Sequence, residues 1–468
     1  NPQKLWGYIT AQAVSLAELN ASNRNRIICL AVTSTDTRDE GRPSSWSGEI
    51  DMLASGALDN EYRLFVVSAG NLKDSWQRET YPDGQLVEPI HDPAQAWNAL
   101  TVGAYTDLVQ ITDADLNGYE PLAPQGGLSP FTSTSLTCED AWPLKPDIVM
   151  EGGNLAVKEG ELSDESEDLC VLSTYYEPTR RLFEGFNMTS AATAAAARMA
   201  AQISKQYPDF WPETIRGLMV HSADWTDALR AQILKNPDNP GKRELKSLVR
   251  VCGWGVPNLE KALYTAGNSL TLVSEASLQP FAKGGNGVKT NDMHLYELPW
   301  PVDVLRSLDP ESEVFMRVSL SYFVEPGPGE IGWKDRYRYP SHQLRFSIIR
   351  PEEKPANFHA RISVAAETDP DAETDTTGDG DFWMLGTQGR SKGSMHSDIW
   401  KGSAQQLAAS NMIAVYPVIG WWRERSHLQK VENQARYSLI VSIQTPAQDV
   451  DFYIPVAAKV GIPISTEI

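Results

Sequence analysis

The sequence is poor in cysteine. Its 468 residues hold four, Cys29, Cys138, Cys170 and Cys252, widely spread and with no CxxC pair. That sparseness excludes a disulfide framework and a zinc ribbon, and it points to a reduced, cytoplasmic chain. Basic residues are also short: 41 lysines and arginines face 61 aspartates and glutamates, a formal charge of −20. Such a balance argues against nucleic acid as the main partner, because phosphate binding needs a basic surface, and it fits a soluble protein that repels its own copies. Long apolar runs are missing as well. None approaches the length that spans a bilayer, and no signal peptide opens the chain, so a membrane is not expected as a partner. The opening residue is Asn1 rather than methionine, which is consistent with a processed product or a fragment whose absent front carried a signal.

What is present divides into two patterns. Residues 1–275 alternate helical and strand signals, the mark of an α/β fold. LWGYITAQAVSLAEL places Leu5, Ile9, Ala13 and Leu16 at helical spacing, and RIICLAV is a short apolar run expected of a strand covered on both faces. IDMLASGAL reads as helix. RLFVVSAGN reads as a second buried strand ending in Gly70 and Asn71, NALTVGAYT as a third, and KPDIVMEGG as a fourth. The acidic, serine-rich EGELSDESEDL is expected as an exposed loop. The alanine-rich stretch FNMTSAATAAAARMAAQISKQYP reads as a helix that stops before Pro208. WPETIRGLMVHSA and GVPNLEKALY each start a helix near proline, a favoured first-turn residue.

From residue 276 to 468 the period changes. Val314, Met316, Val318, Leu320 and Tyr322 alternate with Phe315, Arg317, Ser319 and Ser321. The same alternation runs through Leu344, Phe346 and Ile348, through Tyr437, Leu439, Val441 and Ile443, and through Val450, Phe452, Ile454 and Val456. Period-two alternation predicts strands with one buried face, and hence a mostly antiparallel β-sandwich, jelly-roll-like domain. Within it ETDPDAETDTTGDGD, residues 367–381, is acidic and lacks large apolar residues, so it reads as a mobile loop.

Three residues of the first part bear on chemistry. Asn71 ends a buried strand, Asp147 sits in KPDIVMEGG, and Ser190 opens the alanine-rich helix. In an α/β sheet, ligands gather beyond the carboxyl ends of the strands, so strand-end residues and a helix N-terminus can share one crevice. Acyl transfer to a serine needs the hydroxyl, a base, and donors for the oxyanion. A carboxamide together with a backbone N–H at a helix start supplies that donor pair. Taken alone, Ser190 is a helix cap and Asn71 an ordinary turn residue.

The segments around these residues resemble the subtilisin-like serine proteases, the subtilases of peptidase family S8. VVSAGN resembles their strand-and-asparagine motif and MTSAATAAAA their serine-helix motif, Gly-Thr-Ser-x-Ala-Ala-Pro. In the same order, ALTVGAYT is similar to their Val-Gly-Ala strand, LSPFTSTS to the Ser-Phe-Ser-Ser loop, and KPDIVMEGGN to the Lys-Pro-Asp-Ile…Pro-Gly segment. PETIRGLMVHSA with CGWGVPNLEKAL is similar to the two closing helices, and VFMRVSLSYFVEPGPGEIGW to the β-sandwich that follows long bacterial members. The resemblance implies a mostly parallel sheet flanked by helices, truncated at the N-terminus and followed by the β-sandwich. It implies a serine endopeptidase acting on a peptide or protein substrate, with Ser190 as nucleophile and Asn71 in the oxyanion hole. It further implies that Ser68, Ala69 and Gly70 line the side of the S1 pocket, and that the LAVT strand, through Thr33, forms an edge for an extended substrate. Resemblance to long bacterial members also brings an AAA-type ATPase as an expected partner.

The sequence departs from the family pattern at named places. Met188 stands where the glycine two before the serine belongs, Thr193 replaces a small residue, Ala194 replaces the proline, and Glu151 replaces the proline after KPDI. The family's catalytic aspartate motif, Asp-Thr/Ser-Gly, and its histidine motif, His-Gly-Thr-His, do not occur. The opening helix corresponds to one that follows both, so the catalytic Asp and His are expected upstream, in an N-terminal part of the same protein. Losing an oxyanion donor costs about 10²–10³ in rate and losing the base about 10⁶, so Ser190 alone is expected to be almost inert. His91, followed by Asp92, is a local candidate for the base, but the resemblance implies that it lies on a surface connection leading to the Val-Gly-Ala strand. His221 ends a helix, with a helix-end charge or a buried hydrogen bond as its ordinary role. His294, His342, His359, His396 and His427 fall in the β-rich part.

Other signals point to plain structure. GPGEIG, residues 327–332, spells GxGxxG but has no helix after it to receive a pyrophosphate, so it is a loop of the β-rich part. GWWRERSH, residues 420–427, reads as core tryptophans with a solvated charged edge. No cofactor is expected. The acidic loop at 367–381 offers carboxylates to a structural calcium but fits no EF-hand spacing. The other functional class consistent with the departures is a catalytically inactive pseudoprotease that serves as a peptide- or protein-binding scaffold.

Overall fold

The computed structural model describes residues 5–34, 40–72, 74–163, 166–264, 269–285, 287–309, 312–329, 337–368, 380, 382–444 and 464–467. The chain forms two compact units, one of residues 1–210 and 222–262, the other of residues 211–221 and 263–468.

In the first unit, helix α1 (Trp6–Asn20) leads to β1 (Ile27–Leu30), α2 (Ser45–Ala54) and β2 (Leu64–Ser68). Two short helices, α3 (Ser75–Glu79) and α4 (Asp83–Val87), precede β3 (Leu100–Thr106), β4 (Glu120–Pro121), β5 (Gly127–Leu128) and β6 (Ile148–Glu151). Strands β7 (Ala156–Lys158), β8 (Glu161–Ser163), β9 (Val171–Thr174) and β10 (Phe183–Phe186) lead into the long helix α5 (Met188–Gln206). Beyond α6 (Pro212–His221), which belongs to the second unit, come α7 (Asp227–Ile233), α8 (Lys242–Cys252) and α9 (Leu259–Leu263). Strands β1, β2, β3 and β6 run parallel, and β5 lies antiparallel to β3. All five β2 residues are buried, as the continuous run Leu-Phe-Val-Val requires of a strand covered on both faces. Helix α5 packs across β1, β2, β3 and β6. It buries Ala191, Ala192, Ala196 and Ala200, whose small side chains let its backbone lie close to the sheet, with Met199 and Ile203 filling the wider gaps.

Two expectations change here, and one element is new. The strand expected over RIICLAV is confined to Ile27–Leu30, so Ala31–Thr33 of LAVT lie beyond it. EGELSDESEDL is not simply an exposed loop: β7 and β8 form a hairpin in which Lys158 pairs with Glu161, and β4 joins as a third strand. The physical reason is the turn, where Glu159 (φ 53°) and Gly160 (φ 88°) both take the left-handed conformation of a tight two-residue hairpin. The ribbon of β9 and β10, directly before α5, had no sequence signal.

In the second unit, the strands are β11 (Ser269–Leu278), β12 (Phe281–Gly284), β13 (Gly287–Thr290), β14 (Asp292–Glu297), β15 (Glu313–Tyr322), β16 (Leu344–Ile348), β17 (Met395–Ser403), β18 (Met412–Pro417), β19 (Ala435–Gln444) and β20 (Ile464–Glu467). They build two four-stranded antiparallel sheets, ordered β11-β19-β15-β17 and β16-β18-β14-β20, and the small hairpin β12-β13. The chain is thus mixed α/β with several antiparallel sheets in its C-terminal part. The alternation in β15 does not leave one face to solvent: Arg317, Ser319 and Ser321 are buried alongside Val318 and Leu320. The polar face is covered by α6. Arg216 Nε donates to Ser321 Oγ (3.1 Å) and its Nη2 to the Tyr322 carbonyl (2.8 Å), while the His221 ring bonds Ser319 Oγ (2.9 Å) and Ser442 Oγ (2.8 Å). The sequence grouped this helix with the α/β half; its polar side chains instead pair with serines of the antiparallel sheet. Trp421 and Trp422 of GWWRERSH are buried and donate to Glu325. Most of the acidic stretch 367–381, residues 330–332 of GPGEIG and the expected strand through Val450–Val456 lie outside the described residues. No helix among the described residues is long and apolar enough to cross a membrane.

Candidate active site

Helix α5 starts in a strained way. Its cap residue Asn187 is extended (φ −139°) and makes no side-chain cap bond, and Met188 follows with φ 68°. Ser190 is therefore the third helical residue and not the cap. A left-handed conformation costs an L-residue about 1–2 kcal/mol. Met188 stands where the family pattern has glycine, and its backbone takes the conformation glycine favours. The surroundings hold it there. Met188 N–H donates to the Gly152 carbonyl at 2.7 Å. A Cβ on Gly152 would lie 2.4 Å from Ala104 Cβ, so only glycine lets this carbonyl approach the helix start. Glu151, in the proline position, accepts from Asp107 N–H (2.7 Å) and Gly153 N–H (2.8 Å), which ties down the same turn. Burial holds its carboxyl above the ordinary range.

Asn71 reaches this helix start from the end of β2. Its Oδ1 accepts from Thr189 N–H (2.9 Å) and Thr189 Oγ1 (2.8 Å). A backbone N–H can only donate, so the carboxamide is fixed with its oxygen toward Thr189. Among the described residues its Nδ2 has no hydrogen-bond partner, and neither has Ser190 N–H. Two donors are thus left at the N-terminus of a 19-residue helix, where the helix dipole favours negative charge. Ser190 is half-buried, and its Oγ donates to the Ala31 carbonyl at 3.3 Å, just past β1.

The other expected site residues are set around this point. Thr189 Oγ1 also donates to the Gly70 carbonyl (3.2 Å), which accepts Ser133 N–H as well (3.1 Å). Ser68, Ala69 and Gly70 are buried, and the Ala69 carbonyl is taken by His91 N–H and Ser133 Oγ. Thr33 is half-buried and lines a cavity of about 830 Å³ between α1 and β1, walled by Trp6, Ile9, Val14, Leu30 and Val32. Asp147 is structural: it accepts from Thr101 N–H and Lys145 Nζ, both at 2.7 Å.

No histidine among the described residues bonds Ser190. His91 does not lie on the surface connection that the resemblance implies for it. It is 3% exposed, and its Nε2 donates to Glu88 Oε1 at 2.8 Å. His221 is buried in the second unit, where burial pushes its imidazole well below the ordinary range. Sequence reasoning missed the role of Thr189, which joins Asn71 to the helix, and the buried set around Glu88. Among the described residues no group of three or more His, Cys, Asp and Glu side chains is arranged to hold a metal ion.

Several solved structures are similar to this chain. A protease from Pseudoalteromonas arctica is 16% identical, over 48% of this chain and 47% of that one, with a TM-score of 0.27. MycP1 from Mycobacterium smegmatis is 16% identical over 46% and 44%, with a TM-score of 0.24. An S41 psychrophilic protease is 20% identical over 45% and 53%, with a TM-score of 0.28. The chain thus spans about half the length of each of these structures. No curated protein matches it. The family comparison covers more than half of the chain: the Subtilase model, Peptidase_S8, matches residues 1–255, and the chain belongs to the subtilase family of serine proteases.

Proposed function

We propose that this chain carries the nucleophile and oxyanion half of a serine endopeptidase site. Ser190 attacks the scissile carbonyl, and Asn71 Nδ2 with Ser190 N–H receives the oxyanion. The observation behind this reading is the pair of unpartnered donors beside Ser190, one of them oriented by Thr189. Fixed donors at developing charge are the largest single contribution to acyl transfer. The base and the aspartate that orients it come from a polypeptide segment outside the described residues. That segment seats along the edge of β1 that faces away from β2, over the apolar cavity, because Ala31 brings this edge to Ser190. The substrate is an extended peptide, with Ser68–Ala69–Gly70 beside the residue that precedes the scissile bond.

A second reading is a pseudoprotease scaffold. It is favoured by the Ser190 hydroxyl, which donates to a carbonyl and meets no imidazole. A fluorophosphonate probe separates the two. Covalent label on Ser190, absent in Ser190→Ala and sharply slowed in Asn71→Ala, supports the enzyme. A folded protein that stays unlabelled, in the product of the reading frame extended upstream as well, leaves the scaffold.

A further inference from the structure

One chain of buried side chains links Asp74 to Gly70, on either side of Asn71 in the sequence. Asp74 N–H, three residues after Asn71, donates to Gln77 Oε1 at 3.1 Å. Gln77 Nε2 donates to Glu88 Oε2 at 2.8 Å, and His91 Nε2 donates to Glu88 Oε1 at 2.8 Å. The His91 ring then lies against Gly70, the residue before Asn71: a Cβ built on Gly70 would sit 2.5 Å from His91 Cγ and 2.8 Å from Nδ1. His91 N–H also bonds the Ala69 carbonyl at 2.9 Å. Gln77, Glu88 and His91 are 4%, 8% and 3% exposed. A buried carboxylate is costly unless its oxygens are matched by donors, and here each oxygen is matched by one end of the chain.

We propose that Glu88, through Gln77 and His91, is a positioning residue for the oxyanion donor. It braces the backbone on both flanks of Asn71 and so sets the direction in which the carboxamide points. The brace rests on the nucleophile reading for its catalytic meaning, but its geometry stands apart from it. His91 thereby has a role other than base. It fills the space over Gly70 (φ 110°), where no side chain fits, and transmits the Glu88 anchor to the strand end.

The test combines two readouts on the product of the reading frame extended upstream, which would carry the base. The first is the rate of Ser190 phosphonylation by a fluorophosphonate in a double-mutant cycle. Glu88→Ala is expected to slow it about 10²-fold, the scale of a misplaced catalytic group, with no further loss when added to Asn71→Ala. Glu88→Gln is the variant that spares the fold. Its amide still accepts from His91 but presents a donor to the Gln77 donor, so it breaks one link and slows the reaction about tenfold. The second readout is the side-chain amide resonance pair of Asn71, assigned by its loss in Asn71→Ala. It shifts in Glu88→Gln and stays put in Glu79→Gln, an exposed control on α3. Unchanged resonances, or losses that multiply in the cycle, overturn the brace. A product of the reading frame extended upstream that does not react, with resonances that shift as stated, overturns the nucleophile reading and leaves the brace standing as a determinant of Asn71 geometry.

Discussion

The side-chain oxygen of Asn71 takes two hydrogen bonds from one residue, Thr189: 2.9 Å from its N–H and 2.8 Å from its hydroxyl. This pair joins the end of β2 to the first turn of α5, so the strand and the helix meet at a fixed angle where Ser190 stands. Thr189→Val keeps the shape and the N–H bond but removes the hydroxyl. The expected cost is about 1 kcal/mol of stability, read from urea midpoints. Asn71→Ala removes the acceptor of both bonds and is expected to cost about 1–3 kcal/mol, and phosphonylation of Ser190 is expected to slow about 10²–10³-fold. Equal stability of wild type and Asn71→Ala would remove the strut from the account.

Met188 supplies a prediction in the opposite direction. Its φ of 68° costs about 1–2 kcal/mol for a residue with a Cβ, and glycine removes that cost while adding about 0.4–1 kcal/mol of unfolded-chain entropy. Met188→Gly is therefore expected to be neutral or stabilising by about 0.5 kcal/mol. Met188→Val, β-branched and worse in this conformation, is expected to destabilise. Urea midpoints that rank valine above glycine would show that the helix start does not keep this backbone in solution.

Much of this was legible in the sequence, for reasons that can be named. LFVV announced a strand buried on both faces, and the alanines after Ser190 announced a helix that lies close to the sheet. The association of Asn71 with the serine helix followed from the order of the motifs. Other features were hidden because they are made across the chain. Nothing in the alternation of β15 says that Arg216 and His221 cover its serines, since a strand pattern records which faces differ and not what lies on them. Gln77, Glu88 and His91 are spaced by 11 and 3 residues across two short helices and a loop, so no helix or strand period aligns them. The Glu159–Gly160 turn was readable in principle, as glycine after a short alternating segment, but the surrounding acidity suggested a loop.

Acid should weaken the second unit through His342 and His396. Each is 2% exposed, and burial holds each imidazole down at about 3, with the charges of Arg345, Arg390 and Arg216 adding to the effect at His396. Both rings pack on Tyr322, with centroids 5.6 and 5.5 Å away. Their folded values lie below the ordinary 6.5, so the folded state binds fewer protons than the unfolded chain. The stability they contribute is full above pH 6.5 and is lost as pH falls from there toward 3, at about 1.4 kcal/mol per pH unit for each ring. Unfolding followed across that window is expected to show the loss, and His342→Phe with His396→Phe is expected to flatten it. A variant that keeps the full acid dependence would assign the effect elsewhere.

Cys29 reports on the edge of β1. It is exposed, it lines the cavity with Trp6, Ile9 and Leu30, and β1 pairs with β2 on one side only among the described residues. Unpaired strand edges beside apolar walls invite another chain, because both the N–H and C=O row and the side chains gain by being covered. Cys138 and Cys252 are buried, and burial holds both of their thiols well above the ordinary range, so they are slow to react. Burial also raises the Cys29 thiol, so its reaction is best followed at alkaline pH. In this chain a disulfide reagent is expected to modify Cys29 well before Cys138 and Cys252. If a segment that carries the base lies along β1, the product of the reading frame extended upstream is expected to protect Cys29 at least about tenfold, since local opening must then precede attack. Equal reactivity in the two proteins would mean that the edge stays open, and the base would then have to reach Ser190 by another route.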